Sequence, residues 1–560
     1  MTVGESCDRI GEPSRWAEDD PTESTASTPQ PRIRQAVVIV HGMGSQRPVD
    51  TLTGFVDTVI PELGGQRIYY SRPAQITGSY EARRFIAPQT RGAQPAQRHV
   101  ELFEYHWSYM MTGNRFGDVV STTLRLLIRR PGTVPDGLLG IWCCIHLIGF
   151  VVAALAVAAG VLASRGVWPL AGWLGGIAAA VIGIVAAILF VLRGVISATF
   201  VDVVRYLDTS PRSYAARRAI RGGLVDLLHE LHSSEYDRIV VVAHSLGGYI
   251  SYDALSSLWA DTHETHAGKP AQPTSRAVGL DGLHDAEATA ASLFEEAKKS
   301  RDLDTSETSD PLCTEPDCRE EPAGEAHRKL VKAYQSAQYE LWKGLRAQGN
   351  PWRVTDFITV GTPMYFADIL LTRPSLCATV RALLSKGFTA GTARHLFDSM
   401  VRRGQLVTCP PRSETWTVES TSTADPRYGW DNGPREVLGS QSLFAVTRWT
   451  NLWFPTRRGR LAGDWFGGRL SPLYGPGVRD IRVCGNRRWR RAWALAHSRY
   501  FTHPEEIESA DLAGQLRELL SFEKSFHDLQ DVARTAPRPD PTTTNPAVQR
   551  PFRAPSTTPS

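Results

Sequence analysis

Alternating β-branched runs and helix-periodic segments across residues 34–534 predict an α/β fold, a mostly parallel sheet with helices on both faces. An apolar stretch at 138–192 predicts that this fold is interrupted by a transmembrane helical hairpin. Polar, Ser/Thr/Pro-rich ends at 1–33 and 535–560 lack the apolar surface to offset the entropy of ordering, so both read as disordered tails.

Gln35–Val40 is a β-branched run that ends in His41-Gly42. Val100–Trp107 alternates apolar and polar residues, the period of a half-buried strand. Arg238–Ala243, Val354–Val360, Leu443–Phe454 and Asp480–Cys484 complete the set. Helical periodicity covers Val201–Leu231 and resumes after Ser245. It returns at Glu325–Ala347, where Gly349-Asn350-Pro351 stops it. Residues 260–325 are polar and read as a mobile insertion with a short helical stretch near Ala288–Ser300.

Within the apolar stretch, Leu138–Ala163 and Leu170–Leu192 are each long enough to cross a hydrocarbon core of about 30 Å at ~1.5 Å per residue. Six residues, Ser164–Pro169, connect them. Arg125, Arg129 and Arg130 precede the hairpin, Arg193 and Arg205 follow it, and the connection holds only Arg165. The positive-inside rule therefore puts both flanks, and with them the soluble portions and the termini, in the cytoplasm. The amino-terminus has no apolar core of the kind a signal peptide needs.

Composition excludes several function classes. The net charge of +4 on 560 residues is small and the arginines are dispersed, so there is no nucleic-acid signature. The eight cysteines are scattered, and Cys313 and Cys318 form an isolated C-x4-C pair, which predicts neither a zinc site nor a disulfide framework. No metal or organic cofactor is implied.

The central motif is Val241-Val-Ala-His-Ser-Leu-Gly-Gly248. A β-branched run leads into Ser245, small residues Ala243 and Gly247 stand two positions to either side, and a helix follows. This is the strand–turn–helix context in which a serine hydroxyl is held exposed above a sheet as a nucleophile. Val38-Ile-Val-His-Gly-Met-Gly44 follows the first strand. Acyl transfer develops an oxyanion that two backbone N–H groups must meet. Leu246 should supply one, and Met43 or Gly42 the other. His41 reads as a structural hydrogen-bonding residue. The chain order nucleophile, acid, histidine directs the search downstream. There His497 is the candidate base, with His503 and His527 as alternatives, and Asp464 is the candidate acid. Asp480 and Asp356 belong to the starts of strands, the wrong end of a sheet. In such a relay His497 takes the Ser245 proton, and Asp464 fixes the imidazole tautomer and stabilises its charged form.

These segments resemble the α/β-hydrolase superfamily, more narrowly its lipase-like serine esterases. Ala243-His-Ser-Leu-Gly-Gly-Tyr-Ile-Ser-Tyr-Asp-Ala-Leu255 is similar to the elbow and following helix of intracellular DDHD-type phospholipases. Phe454-Pro-Thr456, Asp464 and Arg469-Leu-Ser-Pro-Leu473 are similar to their acid-bearing segment, and His497-Ser-Arg-Tyr-Phe501 to their histidine segment. Gly361-Thr362-Pro363 after a strand is also lipase-like. The insertion before Asp464 and the membrane hairpin depart from that pattern. The resemblance implies a serine hydrolase that cleaves carboxylic esters through these three residues; the hairpin would anchor it to the membrane as its partner, and that tethering favours lipid acyl esters as substrates. A thioesterase or acyltransferase using the same three residues is an alternative, as is a catalytically silent membrane scaffold that binds partners through 260–325.

Overall fold

The computed structural model describes residues 33–42, 47–59, 70–77, 80–86, 98–111, 134, 136–207, 211–266, 280–303, 324–368, 391–420, 435–456, 463–483, 497, 500–501 and 510–520. Eight strands make one sheet: β1 (Ile33–Val40), β2 (Tyr70–Thr77), β3 (Tyr80–Ile86), β4 (Arg98–Tyr105), β5 (Arg238–His244), β6 (Val354–Val360), β9 (Arg448–Trp453) and β10 (Arg479–Arg482). β7 (Thr417–Ser420) and β8 (Arg435–Leu438) pair antiparallel by themselves. The order across the sheet is β10-β9-β6-β5-β1-β4-β3-β2. The six strands from β10 to β4 run parallel, and β3 and β2 turn antiparallel at the edge.

The central strands are β-branched because both their faces are covered. Along β1, Ala36, Val38 and Val40 face one core, together with Val241, Phe357 and the helices Pro211–Ser233, Gly247–Thr262 and Glu325–Ala347. The intervening Val37 and Ile39 face the other core, with Val242, Ile358 and the helices Asp50–Val59 and Ala510–Leu519. The period of two thus divides one strand between two apolar layers. Each large aliphatic side chain so buried contributes roughly 1.5–3 kcal/mol.

At the amino-terminal end of the parallel strands a charged network replaces apolar packing. Arg238 Nη2 lies 2.5 Å and Arg448 Nη2 2.9 Å from Asp356, and the Thr355 hydroxyl donates to Asp356 at 2.6 Å. Burial pushes the Asp356 carboxyl up, but the two guanidinium groups outweigh it and bring it down to about 2.

Opposite this network, at the carboxyl ends, the chain leaves the strands as loops. Before the chain returns to the sheet at β5, it forms two long helices, Asp136–Ser164 and Trp168–Tyr206. Gly166, at φ +77°, ends the first. The Val167 N–H reaches Leu162 O at 2.9 Å and the Gly166 N–H reaches Ala163 O at 3.1 Å, a left-handed helix cap that satisfies the last carbonyls. Leu138–Ser164 is long and apolar enough to cross a membrane, with a mean hydropathy of 2.5 and no part of its most apolar window buried. The second helix carries a shorter apolar stretch, Trp168–Gly183. Its far end enters the core: Val203 and Tyr206 are buried, and the Tyr206 hydroxyl donates to Asp253 Oδ2 at 3.1 Å. Arg217 Nη2 reaches the same oxygen at 2.7 Å. Asp253 belongs to the helix that follows Ser245, so the long helix is tied directly to that element.

Several expectations shift. The predicted strand at 443–454 begins only at Arg448, because Leu443–Val446 forms a helical turn. The predicted strand at 100–107 ends at Tyr105, and Trp107 starts the turn after it. The helical segment predicted over 201–231 is two helices, one ending at Tyr206 and one beginning at Pro211. The second helix of the predicted hairpin also runs past 192, to Tyr206. Within the polar region 260–325, the short helical stretch is a full helix, Leu283–Leu303. Its Ala286, Ala290 and Leu293 are buried in the same core as Val331, Leu341 and Leu345 of the helix Glu325–Ala347. Small and apolar residues every third or fourth position give it a packing face that its polar composition hides. The predicted tail 1–33 gives up its last residue to β1, which begins at Ile33; 1–32 and 535–560 lie outside the described residues.

Candidate active site

Strand β5 ends at His244, and the chain turns at Ser245 into the helix Gly247–Thr262. Ser245 has φ +54°, a left-handed backbone unusual for a residue with a Cβ and worth roughly 1–3 kcal/mol of strain. Its N–H is held by Val360 O at the end of β6, at 3.0 Å. The turn is possible because the helix start lies against the end of β1: a Cβ on Gly247 would sit 2.4 Å from Val40 O.

Three distant residues converge here. His497 Nε2 is 2.7 Å from Ser245 Oγ, and His497 Nδ1 is 3.0 Å from Asp464 Oδ1. A carboxylate can only accept, so Nδ1 carries the ring proton and Nε2 is free to accept from the serine hydroxyl. Asp464 is fully buried. Its Oδ1 also accepts the Phe466 N–H at 2.8 Å, and its Oδ2 accepts the Tyr500 hydroxyl at 2.7 Å. The loop is anchored at two points after Asp464: Tyr365 donates to Trp465 O at 2.7 Å, and Asn451 Nδ2 donates to Gly468 O at 2.8 Å.

His244, adjacent to the serine, is the nearest competing base. It is not aimed at the hydroxyl but donates from Nε2 to the His497 carbonyl at 3.0 Å. Burial, with the nearby His497 adding to it, lowers its pKa to about 3. It therefore stays neutral and ties the elbow to the histidine segment. His41 is likewise occupied. Its Nδ1 donates to Gly42 O at 2.9 Å, and its Nε2 accepts from the Trp107 N–H at 3.1 Å. Trp107 stacks on the ring at 4.9 Å between centroids and donates from its indole to His41 O at 3.0 Å. Burial lowers the His41 pKa to about 3 as well. The ring thus pins the loop after β1 to the end of β4.

That loop brings Gly42 against Ser245. A Cβ on Gly42 would lie 2.8 Å from Ser245 Cβ and 2.7 Å from His244 Nδ1. Leu246, buried, opens the elbow helix. Met43 lies outside the described residues, as do the alternative histidines His503 and His527. The two carboxylates set aside for lying at strand starts have other partners. Asp356 sits in the arginine network at the opposite end of the sheet. Asp480 accepts from Asn451 Nδ2 at 2.7 Å and from the Leu470 and Ser471 N–H groups at 3.0 and 2.9 Å.

Residue-level reading missed Tyr500, His244 and Trp107 as parts of this arrangement. Tyr500 and His244 stand inside motifs already singled out, and proximity to His497 and Ser245 in the chain was the available signal. Gly361, at φ +54°, leaves room for the Tyr500 ring, which its Cβ would meet at 2.4 Å. Among the described residues no group of three or more His, Cys, Asp or Glu could hold a metal ion. No family model, no curated protein and no solved structure matches this chain.

Proposed function

We propose that the protein is a membrane-anchored serine hydrolase of the α/β-hydrolase type that cleaves carboxylic esters through an acyl-enzyme on Ser245. One observation carries this reading: a serine strained at φ +54° with its Oγ 2.7 Å from a histidine Nε2, whose Nδ1 lies 3.0 Å from a buried aspartate. That is the geometry an activated nucleophile needs.

In the reaction, Ser245 Oγ attacks the ester carbonyl carbon while its proton passes to His497 Nε2. The oxyanion is received by the Leu246 N–H and by an N–H of the Gly42-Met43 loop. Collapse breaks the carbon–alkoxide bond, and the alcohol leaves with the proton from Nε2. Water then attacks the acyl-serine, gives a proton to Nε2, and releases the acid as Ser245 recovers its hydrogen. Asp464 accepts from Nδ1 throughout and favours the charged imidazole.

The membrane part of the reading is supported by the exposed apolar helix Leu138–Ser164. With Leu170–Leu192 as a second span, both flanks lie in the cytoplasm. A site tethered to a bilayer meets esters confined to it far more often than dissolved ones, so lipid acyl esters are the substrate class. The test is turnover by the full chain in vesicles of an acyl ester embedded in the bilayer and of a short soluble ester, with Ser245→Ala as control. Hydrolysis of the embedded ester in preference, lost in Ser245→Ala, is expected. Equal use of both esters would remove the lipid assignment, and turnover surviving in Ser245→Ala would remove the mechanism.

A further inference from the structure

We infer that Tyr500 is a positioning residue of this relay, the donor that holds the outer oxygen of Asp464. This rests on the triad reading above. Asp464 Oδ1 has two donors, His497 Nδ1 and the Phe466 N–H, while Oδ2 receives the Tyr500 hydroxyl at 2.7 Å. The space around Oδ2 is closed on two sides. A Cβ on Gly467 would lie 2.6 Å from Oδ2, and one on Gly361 would lie 2.9 Å from it. Both the carboxylate and the phenol are fully buried.

The phenol is itself fixed. Its oxygen accepts the Phe454 N–H at 2.9 Å, just past the end of β9. Its ring stacks on Phe454 at 4.4 Å between centroids. Because that N–H occupies a lone pair of the phenol oxygen, the hydroxyl proton is directed at Asp464. Burial foremost, and the neighbouring carboxylate after it, push phenol ionisation well above its ordinary value, so the group remains a donor at all working pH. Tyr500 thus connects the end of a central strand to the acid. It lies three residues from the base in the chain, so the same short segment supplies the imidazole and the clamp on its partner. The hydroxyl has no route to substrate, since its two hydrogen bonds are both spent on the frame.

Removing the hydroxyl leaves a carboxylate oxygen in a dry site with one bond fewer. The unsatisfied charge then holds the imidazolium more tightly, so His497 gives its proton up to the leaving group less readily. The consequence falls on kcat and on the acidic side of the pH–rate profile, not on KM.

The experiment uses the full chain in detergent or vesicles, a p-nitrophenyl acyl ester, and active-site titration with a fluorophosphonate so that rates refer to competent molecules. Tyr500→Phe is expected to lower kcat per titrated site about ten- to a hundred-fold, the worth of a hydrogen bond to a charged group. KM should be unchanged and the acidic limb should move to higher pH. Replacement of Tyr500 by 3-fluorotyrosine keeps ring and hydroxyl but makes the phenol a stronger donor, so it should keep kcat and move the acidic limb to lower pH. A Tyr500 with only a packing role would change the titratable fraction and leave kcat per site and both limbs in place, and that result overturns the inference. If Tyr500→Phe yields no titratable protein, the fluorotyrosine form decides: an unmoved acidic limb overturns it. A wild-type chain that neither titrates nor turns over ester refutes the triad reading instead.

Discussion

Glu104 offers a test of the loop that flanks the site. It stands on β4, 4% exposed, and its Oε2 accepts the Val49 N–H at 2.6 Å. Val49 has φ +77°, so this bond holds a strained residue in the segment that descends from His41-Gly42. Burial first, and the charge of Asp50 after it, raise the carboxyl from 4.5 to about 7, against the opposing hydrogen bonds from Val49 and Thr51. Between those values the folded protein keeps a proton that the unfolded chain has lost. The folded state binds more protons, so stability falls as pH rises from 4.5 through 7. At ~1.36 kcal/mol per pH unit the gap amounts to about 3 kcal/mol. Glu104→Gln keeps an oxygen for Val49 and carries no charge at any pH. Its stability relative to wild type, from denaturant midpoints of the full chain in detergent followed by tryptophan fluorescence, should be nearly level at pH 4.5 and about 3 kcal/mol more favourable at pH 8. A difference that stays constant across this range would refute the reasoning.

Other expectations follow from the same network of contacts. His41 and His244 are held neutral with pKa values lowered by burial to about 3, whereas the unfolded chain protonates both near 6.5. Stability should therefore fall as pH drops below 6.5, by up to about 2.7 kcal/mol per pH unit from the two together. His41→Gln should take up to about 1.4 kcal/mol per pH unit off the slope in acid titration of the denaturant midpoint, and an unchanged slope would count against burial as the cause. Asp356→Asn leaves Arg238 and Arg448 without their shared carboxylate and should cost about 3–5 kcal/mol. Because Asp356 lies at the other end of the sheet, ester turnover per titrated site should not change. Gly42→Ala places a methyl 2.8 Å from Ser245 Cβ. It should lower kcat at least ~100-fold with an unaltered circular dichroism spectrum, and retained turnover would show that the loop does not approach the reacting atoms.

The parts of the fold legible from sequence are those buried on both faces. β1, β5 and β6 are apolar because neither side meets water, and Glu325–Ala347 repeats its buried positions at helical spacing. Legibility failed where composition and environment part. β2 and β3 carry Arg72, Pro73, Arg83 and Arg84, residues that deplete strand propensity but are tolerated in antiparallel strands at a sheet edge. The run from Leu443 to Trp453 contains both a helical turn and a strand, and an apolar run alone does not separate the two. The helix Asp50–Val59 has Leu52, Phe55, Val56 and Val59 at helical spacing, a signal present but short.

The site divides in the same way. The elbow is local chemistry, written in eight consecutive residues, so Ser245 and the close-packing Gly247 could be read directly. Asp464 and His497 follow from chain order and strand ends. Tyr500 could not be assigned because its role exists only across the fold: its partner Asp464 is 36 residues away in the chain, and Phe454 is 46. The double occupation of His41 by Gly42 and Trp107 is hidden for the same reason, since Trp107 is 66 residues distant.

The central claim is that the Ser245 hydroxyl is an activated nucleophile, and a fluorophosphonate probe tests it most directly. The full-length chain should form a covalent adduct that peptide mass spectrometry locates on Ser245, and Ser245→Ala should abolish it, with His497→Ala slowing it strongly. No adduct on the folded wild-type protein, or one that persists in Ser245→Ala, would contradict the account.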